Sequence, residues 1–426
     1  MSIQNQKEGQ DAPGFGSRVP GFPGSGFFHS ANILFMVLLF LPILQRQVRI
    51  LPRISLFGVE EQAQAVPFTW KNWFDGGYQL RAEIRHGQRL GIRAHLIRTD
   101  NQINFSLFGK IRQKSGTRVV FGNHGNLFEN AYIRQANRPR QAAGHTVTTV
   151  VERVRQFQDI CRAQGLGFVL LIAPSKASLY PEDIPARLRY PANPPTVPLY
   201  EQMIPRLRAA GVSIVDARAL FLQWKKSAPY PLFPKGGTHW SYYGAARVVQ
   251  ALIAELESQT GANFPDLQIS GVDIDDKPYR EEADLVTLLN LWRWKSLTGP
   301  QYHPRLKLAP DPAARPARLL MIGDSFFFSI ADLLDTAKII ERMDGLYYFR
   351  RRFVYPGGAN TPFDRKDIDI RAELRGRDAV IIEINEYWLP DIGFLFLEHA
   401  LETFTTNSVP VQSSREFERP ESPDGP

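Results

Sequence analysis

The sequence predicts an α/β fold in which a parallel sheet is covered by helices on both faces. Three strongly apolar runs carry this prediction: "GFVLLIAP" (167–174), "ARLLMIG" (317–323) and "DAVIIEIN" (378–385). Each run is apolar without alternation, which is typical of strands buried on both faces of a sheet. Helical patterns alternate with these strands along the chain, and this alternation favours parallel connections.

The elements follow in order from local patterns. The segment "RVVFGNHGNLFENAYI" predicts a strand, a glycine-rich turn and a second strand. An amphipathic pattern over about 145–164 predicts a helix that ends at Gly165, and a second helix near 197–210 ends at Gly211. Three further segments predict a short strand and two helices, in the order "VSIVDA", "AARVVQALIAELES" and "FFFSIADLLDTA".

Composition divides the chain into five regions. Residues 1–29 are rich in Gly, Pro, Ser and Gln and predict a disordered tail, as do the polar residues 405–426. Between them we expect a membrane anchor or signal-like segment at 30–46, a helical and extended lead-in at 47–117, and a catalytic α/β domain at 118–404.

The segment "ANILFMVLLFLPIL" (31–44) is apolar and uncharged. It is shorter than the ~20 residues typical of a membrane span. Because no A-x-A-like cleavage site follows it, we favour an uncleaved anchor over a signal-peptide core or a buried helix. More basic residues follow the segment than precede it, which favours a cytoplasmic position for the chain beyond it.

Charge and cysteine content narrow the function classes. The chain has 51 Lys and Arg against 43 Asp and Glu, a net charge of +8 that suits anionic partners. No nucleic-acid-binding motif is present, so we expect no nucleic-acid partner. The single cysteine, Cys161, excludes an intramolecular disulfide, and no zinc-ligand spacing occurs, so we expect no metal site.

Ser325 lies where a predicted strand turns into a predicted helix, in "GDSFF". Gly323 permits a tight turn there, and the free N–H groups at a helix start can stabilise an oxyanion. Ser325 is therefore a candidate nucleophile, although a serine before a helix also serves as an N-cap.

A nucleophilic serine needs a base, for which histidine is the usual residue. Of the eight histidines, seven lie in surface-like, turn or N-terminal settings. His239 lies in the glycine-rich stretch "FPKGGTHWSYYGAARVV", just before a predicted helix. Loops at the carboxyl edge of a parallel sheet are where such folds place their chemistry, so His239 is the candidate base.

The order of these motifs resembles that of the alginate O-acetyltransferase family, whose domains are SGNH-hydrolase-like. In that family a histidine block precedes Gly-Asp-Ser, and here "GGTHWS" (236–241) precedes "GDSFF" (323–327). Further stretches match in the same order: "WFDGGYQLRAEIRHGQRLGIR", "FGNHGNLFENAYI", "LLIAPSKASLYPEDIP", "EADLVTLLNL" and "AVIIEINEYWL". The resemblance implies an SGNH-like sheet with Ser325 as nucleophile and His239 as base.

The resemblance also implies a triad acid two residues before the histidine, where this chain has Gly237. Three hypotheses stay open: another acid orients His239, Ser325 and His239 act as a dyad, or catalysis is weakened. Asp216, after a short strand, is one candidate acid, although its position before the next helix favours an N-cap.

Five further residues are candidates for binding substrate. Lys176 follows a strand, Asn385 and Glu386 end one, Asp324 precedes the nucleophile, and Arg350 lies in the basic run "YYFRRRFVYP". Each also has an ordinary structural interpretation, as a solvated charge or a cap.

We predict from the resemblance that the chain transfers acetyl groups to hydroxyls of an exopolysaccharide through an acyl-serine. It implies no cofactor, a membrane-bound O-acyltransferase partner that supplies acetyl groups, and a domain on the periplasmic side tethered to the inner membrane through 31–44. Two alternatives stay open: an acetyl esterase of the same fold, and a non-catalytic glycan-binding or assembly subunit.

Overall fold

The computed structural model describes residues 25–48, 51–52, 54–58, 67–89, 91–111, 119–137, 144–189 and 197–405. Most of the predicted tails, 1–29 and 405–426, lies outside these residues. Contacts divide the chain into two compact units, Met1–Ser55 with Glu61–Ile97, and Leu56–Glu60 with Arg98–Pro426.

The secondary structure described in the first unit is helical. Its helices are α1 (Ser25–Val48), α2 (Trp70–Phe74) and α3 (Gly77–Arg89), and α4 (Arg93–Phe108) begins in this unit. Helix α1 includes the apolar segment 31–44 and carries Pro42 inside it. Among the helices that the structure describes, none is long and apolar enough to cross a membrane, so the predicted anchor is not confirmed.

A mixed sheet of seven strands forms the centre of the second unit, in the order β10-β9-β8-β7-β11-β3-β4. The strands are β3 (Gly167–Ala173), β4 (Ile214–Asp216), β7 (Ala317–Gly323), β8 (Ile340–Tyr347), β9 (Arg351–Tyr355), β10 (Ala359–Pro362) and β11 (Ala379–Asn385). Strands β7, β11, β3 and β4 pair in parallel, as the sequence predicts. Strand β8, which was not predicted, pairs in parallel with β7.

The prediction of an entirely parallel sheet is wrong at one edge. Strands β9 and β10 pair antiparallel with their neighbours. Only residues 348–350 separate β8 from β9. So short a connection returns the chain as a hairpin, because a parallel crossover needs about a dozen residues.

Helices cover both faces of the sheet, as predicted. On β11, Ala379 and Ile381 join the core under α10 (Tyr242–Thr260) and α12 (Phe327–Thr336). Val380, Ile382 and Ile384 point to the opposite face and join the second core. The helices of that opposite face are α6 (Gly144–Ala163), α8 (Leu199–Ala209), α13 (Ile370–Leu374) and α14 (Phe396–Thr405).

Two antiparallel pairs lie outside this sheet. The first is the predicted strand–turn–strand unit, β1 (Val119–Phe121) with β2 (Leu127–Glu129). The second, β5 (Leu267–Asp275) with β6 (Gln301–Leu308), was not predicted. The remaining helices are α5 (Asn130–Asn137), α7 (Lys176–Leu179), α9 (Ala217–Trp224) and α11 (Asp284–Leu288).

The carboxyl ends of β7, β11 and β3 meet at one edge of the sheet, because the three strands are adjacent and parallel. Most of the predicted site residues follow these strand ends, and the loop of His239 leads into α10 beside them. The fold therefore assembles the candidate site from segments far apart in sequence.

Candidate active site

Ser325 and His239 lie in hydrogen-bond contact, 86 residues apart in the chain. The Nε2 atom of His239 is 2.7 Å from the Oγ of Ser325. Both residues are buried, with 9 % of Ser325 and 5 % of His239 exposed, and the imidazole packs on the ring of Phe326 at 4.6 Å. Ser325 is not an N-cap, because that position of α12 is taken by Phe326. The predicted pairing of nucleophile and base is present.

A carboxylate lies behind the imidazole. The Nδ1 atom of His239 is 2.6 Å from the Oδ2 of Asp284. A carboxylate at Nδ1 favours the tautomer in which Nδ1 carries the proton, which leaves Nε2 free to accept the proton of Ser325. Asp284, His239 and Ser325 thus form one continuous chain of hydrogen bonds.

The second oxygen of Asp284 fixes the carboxylate in place. Its Oδ1 accepts from the backbone N–H of Thr238 at 2.8 Å and from that of Leu285 at 2.6 Å. One carboxylate therefore binds both the imidazole and the backbone of the residue before it. This arrangement orients the loop and the ring together.

The absence of an acid at position 237 has a steric reason. A β-carbon on Gly237 would lie 2.6 Å from the carbonyl oxygen of Glu281 and 2.9 Å from that of Glu282. The segment that carries Asp284 therefore occupies the space where a side chain at 237 would begin. Of the three hypotheses left open by the sequence, the geometry supports another acid.

The proposal of Asp216 as orienting acid is wrong. Its Oδ1 accepts from the backbone N–H of Ala219 at 3.0 Å and caps helix α9. Its Oδ2 accepts from Tyr200 and from Arg208, both at 2.7 Å. The alternative interpretation as an N-cap is correct, since α9 begins directly after β4.

Lys176 is buried, with 2 % of its surface exposed, and so is not placed to bind substrate. Its Nζ donates to the carbonyl oxygens of Pro234, Lys235 and Gly237 at 2.5, 2.9 and 3.1 Å. Burial lowers the pKa of Lys176 to about 7. Because an ammonium has three donors, the loop before His239 satisfies Lys176 completely.

Asn385 and Glu386 make structural contacts, and the substrate role considered for them stays a prediction. Asn385 is fully buried, and its side chain donates to the carbonyl of Pro174 and accepts from the N–H of Tyr387. Glu386 accepts from the N–H of Ser175 and pairs with Arg218 at 3.0 Å. These contacts tie the end of β11 to the segment after β3.

Asp324 is buried and accepts from two backbone N–H groups, those of Phe326 at 2.9 Å and Asn385 at 2.7 Å. The N–H of Asp324 in turn donates to Glu383. This corrects two expectations. Asp324 does not face substrate, and the N–H of Phe326, at the start of the helix, is already engaged and not available to an oxyanion.

Arg350 and His124 both have exposed side chains. Arg350 is exposed in the turn between β8 and β9, beside the end of β7, and its contact with substrate stays a prediction. His124 contacts Asp183 at 2.6 Å from the predicted turn, with an exposed side chain. Within the described ranges no cluster of His, Cys, Asp and Glu is suited to hold a metal ion.

Sequence reasoning missed Asp284 as a site residue, although it lies in the stretch "EADLVTLLNL" that carries part of the resemblance. Its position gave one signal, since an acid at the start of a short helix is well placed to hold backbone N–H groups. The 45 residues between His239 and Asp284 hid their contact, because only tertiary packing brings the two together.

Comparison with known proteins finds similarity over the part of the chain that carries this geometry. The family described as "SGNH hydrolase-like domain, acetyltransferase AlgX" matches residues 119–326. Two curated proteins named probable alginate O-acetylase AlgJ are similar. The one from Pseudomonas aeruginosa is 33 % identical over 142 residues, which are 32 % of this chain and 33 % of the relative.

The AlgJ of Pseudomonas syringae pv. tomato is 29 % identical over 41 % of this chain and 42 % of its own length. The chain therefore spans less than half the length of the curated relatives it matches. Among solved structures, the O-acetyltransferase domain of Pseudomonas putida AlgJ aligns with 64 % of this chain and 92 % of that one. The identity there is 20 % and the TM-score is 0.45.

The matched region begins at β1 and ends directly after Ser325, so it includes the His239 loop, Asp284 and the nucleophile. The motif order and the family comparison agree on this part of the chain. Residues 119–326 thus match the SGNH hydrolase-like acetyltransferase domain family, and part of the chain is similar to probable alginate O-acetylases.

Proposed function

We propose that the chain is a polysaccharide O-acetyltransferase that works through an acetyl-serine at Ser325. The observation that carries this proposal is the unbroken hydrogen-bond chain from Asp284 through His239 to Ser325. It supplies a nucleophile, a base and an orienting acid in the geometry that acyl transfer requires.

In the first half-reaction, Nε2 of His239 takes the proton of Ser325 as Oγ bonds to the acetyl carbonyl carbon. The tetrahedral adduct then collapses, the bond to the leaving group breaks, and His239 returns the proton to that leaving group. Asp284 stabilises the imidazolium that exists between these two steps.

In the second half-reaction, a sugar hydroxyl gives its proton to Nε2 of His239 and its oxygen attacks the acetyl-serine. Collapse of this second adduct releases Ser325 Oγ, which takes the proton back. The acceptor we propose is an exopolysaccharide hydroxyl, which the names of the curated relatives support. No cofactor takes part in either step.

The setting we propose follows from the same family. A membrane-bound O-acyltransferase supplies the acetyl groups, and the domain works on the periplasmic side, tethered to the inner membrane through residues 31–44. The apolar character of that segment supports the tether. The basic residues that follow it favour the opposite orientation, and we give more weight to the family than to so few charges.

Ser325→Ala tests the proposal. The purified full chain is incubated with an acetyl donor and candidate polysaccharides, and acetylated glycan and free acetate are both measured. We expect wild type to acetylate a glycan and the variant to lose at least about 10³-fold of that rate. Unchanged acetylation in Ser325→Ala would show that Ser325 is not the nucleophile. Neither acetylated glycan nor free acetate from wild type would leave the non-catalytic binding role. Acetate released without any acetylated glycan would instead identify an esterase.

A further inference from the structure

A pair of buried carboxyl groups directly behind the nucleophile is not used in this mechanism. Asp324 is 1 % exposed and Glu383 fully buried. The N–H of Asp324 donates to Oε2 of Glu383 at 3.1 Å, and each carboxyl group shifts the pKa of the other. Gly323 allows this contact, since a β-carbon there would lie 2.6 Å from Oε2.

We propose that Asp324 and Glu383 hold one proton between them, carried by Glu383, and that this pair positions Ser325. The positioning role rests on the proposed function, whereas the shared proton is independent of it. Glu383 acts through Asp324 and the backbone, so it is a positioning residue and does not take part in the chemistry.

Hydrogen-bond counting places the proton on Glu383. Both oxygens of Asp324 accept from backbone N–H groups, those of Phe326 and Asn385, and N–H donors favour an ionised acceptor. Glu383 has one such donor at Oε2, and its Oε1 is buried with no partner among the described residues. A protonated Glu383 supplies the hydrogen that two adjacent carboxylates lack.

The surroundings agree with this assignment. Apolar β7, β11 and α12 side chains enclose the pair, and Phe327 packs on Gly323. The titratable group that faces the pair from the neighbouring loop is His239, which lowers the pKa of Asp324. Burial still raises the pKa of Asp324 to about 6, and burial together with Asp324 raises that of Glu383 well above its usual range.

The pair holds three segments together at the nucleophile. Asp324 contacts the start of α12 through Phe326 and the end of β11 through Asn385, while Glu383 reaches back to the end of β7. Ser325 is the residue between these contacts. Loss of the proton on Glu383 leaves two negative charges close together. The Ser325 corner, residues 323–326 between β7 and α12, is therefore expected to loosen as the pH rises.

Glu383→Gln and Asp324→Asn test the assignment, because glutamine mimics a protonated Glu383. The first readout is the unfolding temperature of the full chain across pH, which needs no acetylation assay. A group protonated only in the folded state loses stability as the pH rises above the usual value of 4.5. We expect Glu383→Gln to flatten this fall, and Asp324→Asn to lower the unfolding temperature at every pH.

The second readout is the pH profile of kcat/KM. We expect Glu383→Gln to move the alkaline limb to higher pH, and Asp324→Asn to lower kcat/KM about tenfold or more by turning an amide N–H toward a backbone donor.

Identical unfolding profiles in wild type and Glu383→Gln would overturn the shared proton. A flattened unfolding profile with an unmoved alkaline limb would overturn the positioning role alone. Failure of the proposed function shows separately, as unchanged acetylation in Ser325→Ala.

Discussion

The His239 loop and the Ser325 corner are positioned by buried groups of opposite charge. On the loop side, the ammonium of Lys176 collects the carbonyl oxygens of residues 234, 235 and 237. On the corner side, the carboxylate of Asp324 collects the N–H groups of Phe326 and Asn385. In each case backbone dipoles satisfy the buried charge.

The two halves of the active site are therefore held rigid without a salt bridge between them. A charge held by several backbone groups fixes the main chain itself, and with it the side chain that does the chemistry. Asp284 links the backbone of the loop to the catalytic side chain, because its carboxylate binds both the N–H of Thr238 and the imidazole of His239.

Asp284→Asn breaks the contact that links the loop to the chemistry, and we expect the largest effect from it. An amide at this position stabilises the wrong imidazole tautomer and no longer supports an imidazolium, so kcat/KM should fall about 10³- to 10⁴-fold. Acetyl transfer by purified protein measures the loss, and circular dichroism checks that the variant is folded.

The matched control is Asp216→Asn, at the residue that the sequence predicted as a candidate acid. It removes a charge from the N-cap of α9, whose hydrogen bonds go to Ala219, Tyr200 and Arg208 and not to His239. Asparagine still caps a helix. Acetylation should stay at the wild-type rate. Equal losses in the two variants would show that Asp284 has no special relation to His239.

Lys176→Met removes the ammonium that holds the His239 loop. It leaves the buried carbonyl groups of Pro234 and Gly237 without this donor, whereas that of Lys235 keeps the N–H of Leu127. The loss should cost on the order of 3 kcal/mol of stability and displace His239. Chemical denaturation measures the loss. The variant should fold yet transfer acetyl groups more slowly, with kcat more affected than KM; a variant of wild-type stability would contradict the role given to the ammonium.

The pH dependence of Lys176 is opposite in sign to that of Glu383. Burial lowers the pKa of Lys176 to about 7 from a usual value of 10.5, so between these values the unfolded chain binds more protons. This contribution to stability therefore rises with pH from about 7 upward. Lys176→Met should remove that rise, and Glu383→Gln should remove the fall described above.

The sequence predicted those parts of the fold and site that depend on local pattern. The central parallel strands, the helices on both faces and the pair of Ser325 with His239 follow from apolar runs, glycine turns and motif order. Asp284 and the buried Glu383 were beyond such reasoning, because their roles depend on contacts across 45 and 59 residues. Lys176 looked solvated in sequence, since nothing local shows three carbonyls converging on it.

Gly237→Ala tests whether the segment that carries Asp284 needs a glycine beside it, and we expect the smallest effect from this substitution. A β-carbon there would press on the carbonyl of Glu281 at 2.6 Å, so the segment that carries Asp284 must shift. We expect a loss of about 2 kcal/mol in stability and a partial loss of acetyl transfer. Gly87→Ala is the control, since a β-carbon in that helical position meets nothing within 4 Å and should stabilise slightly. Equal behaviour of the two variants would show that Gly237 is not needed to admit the segment that carries Asp284.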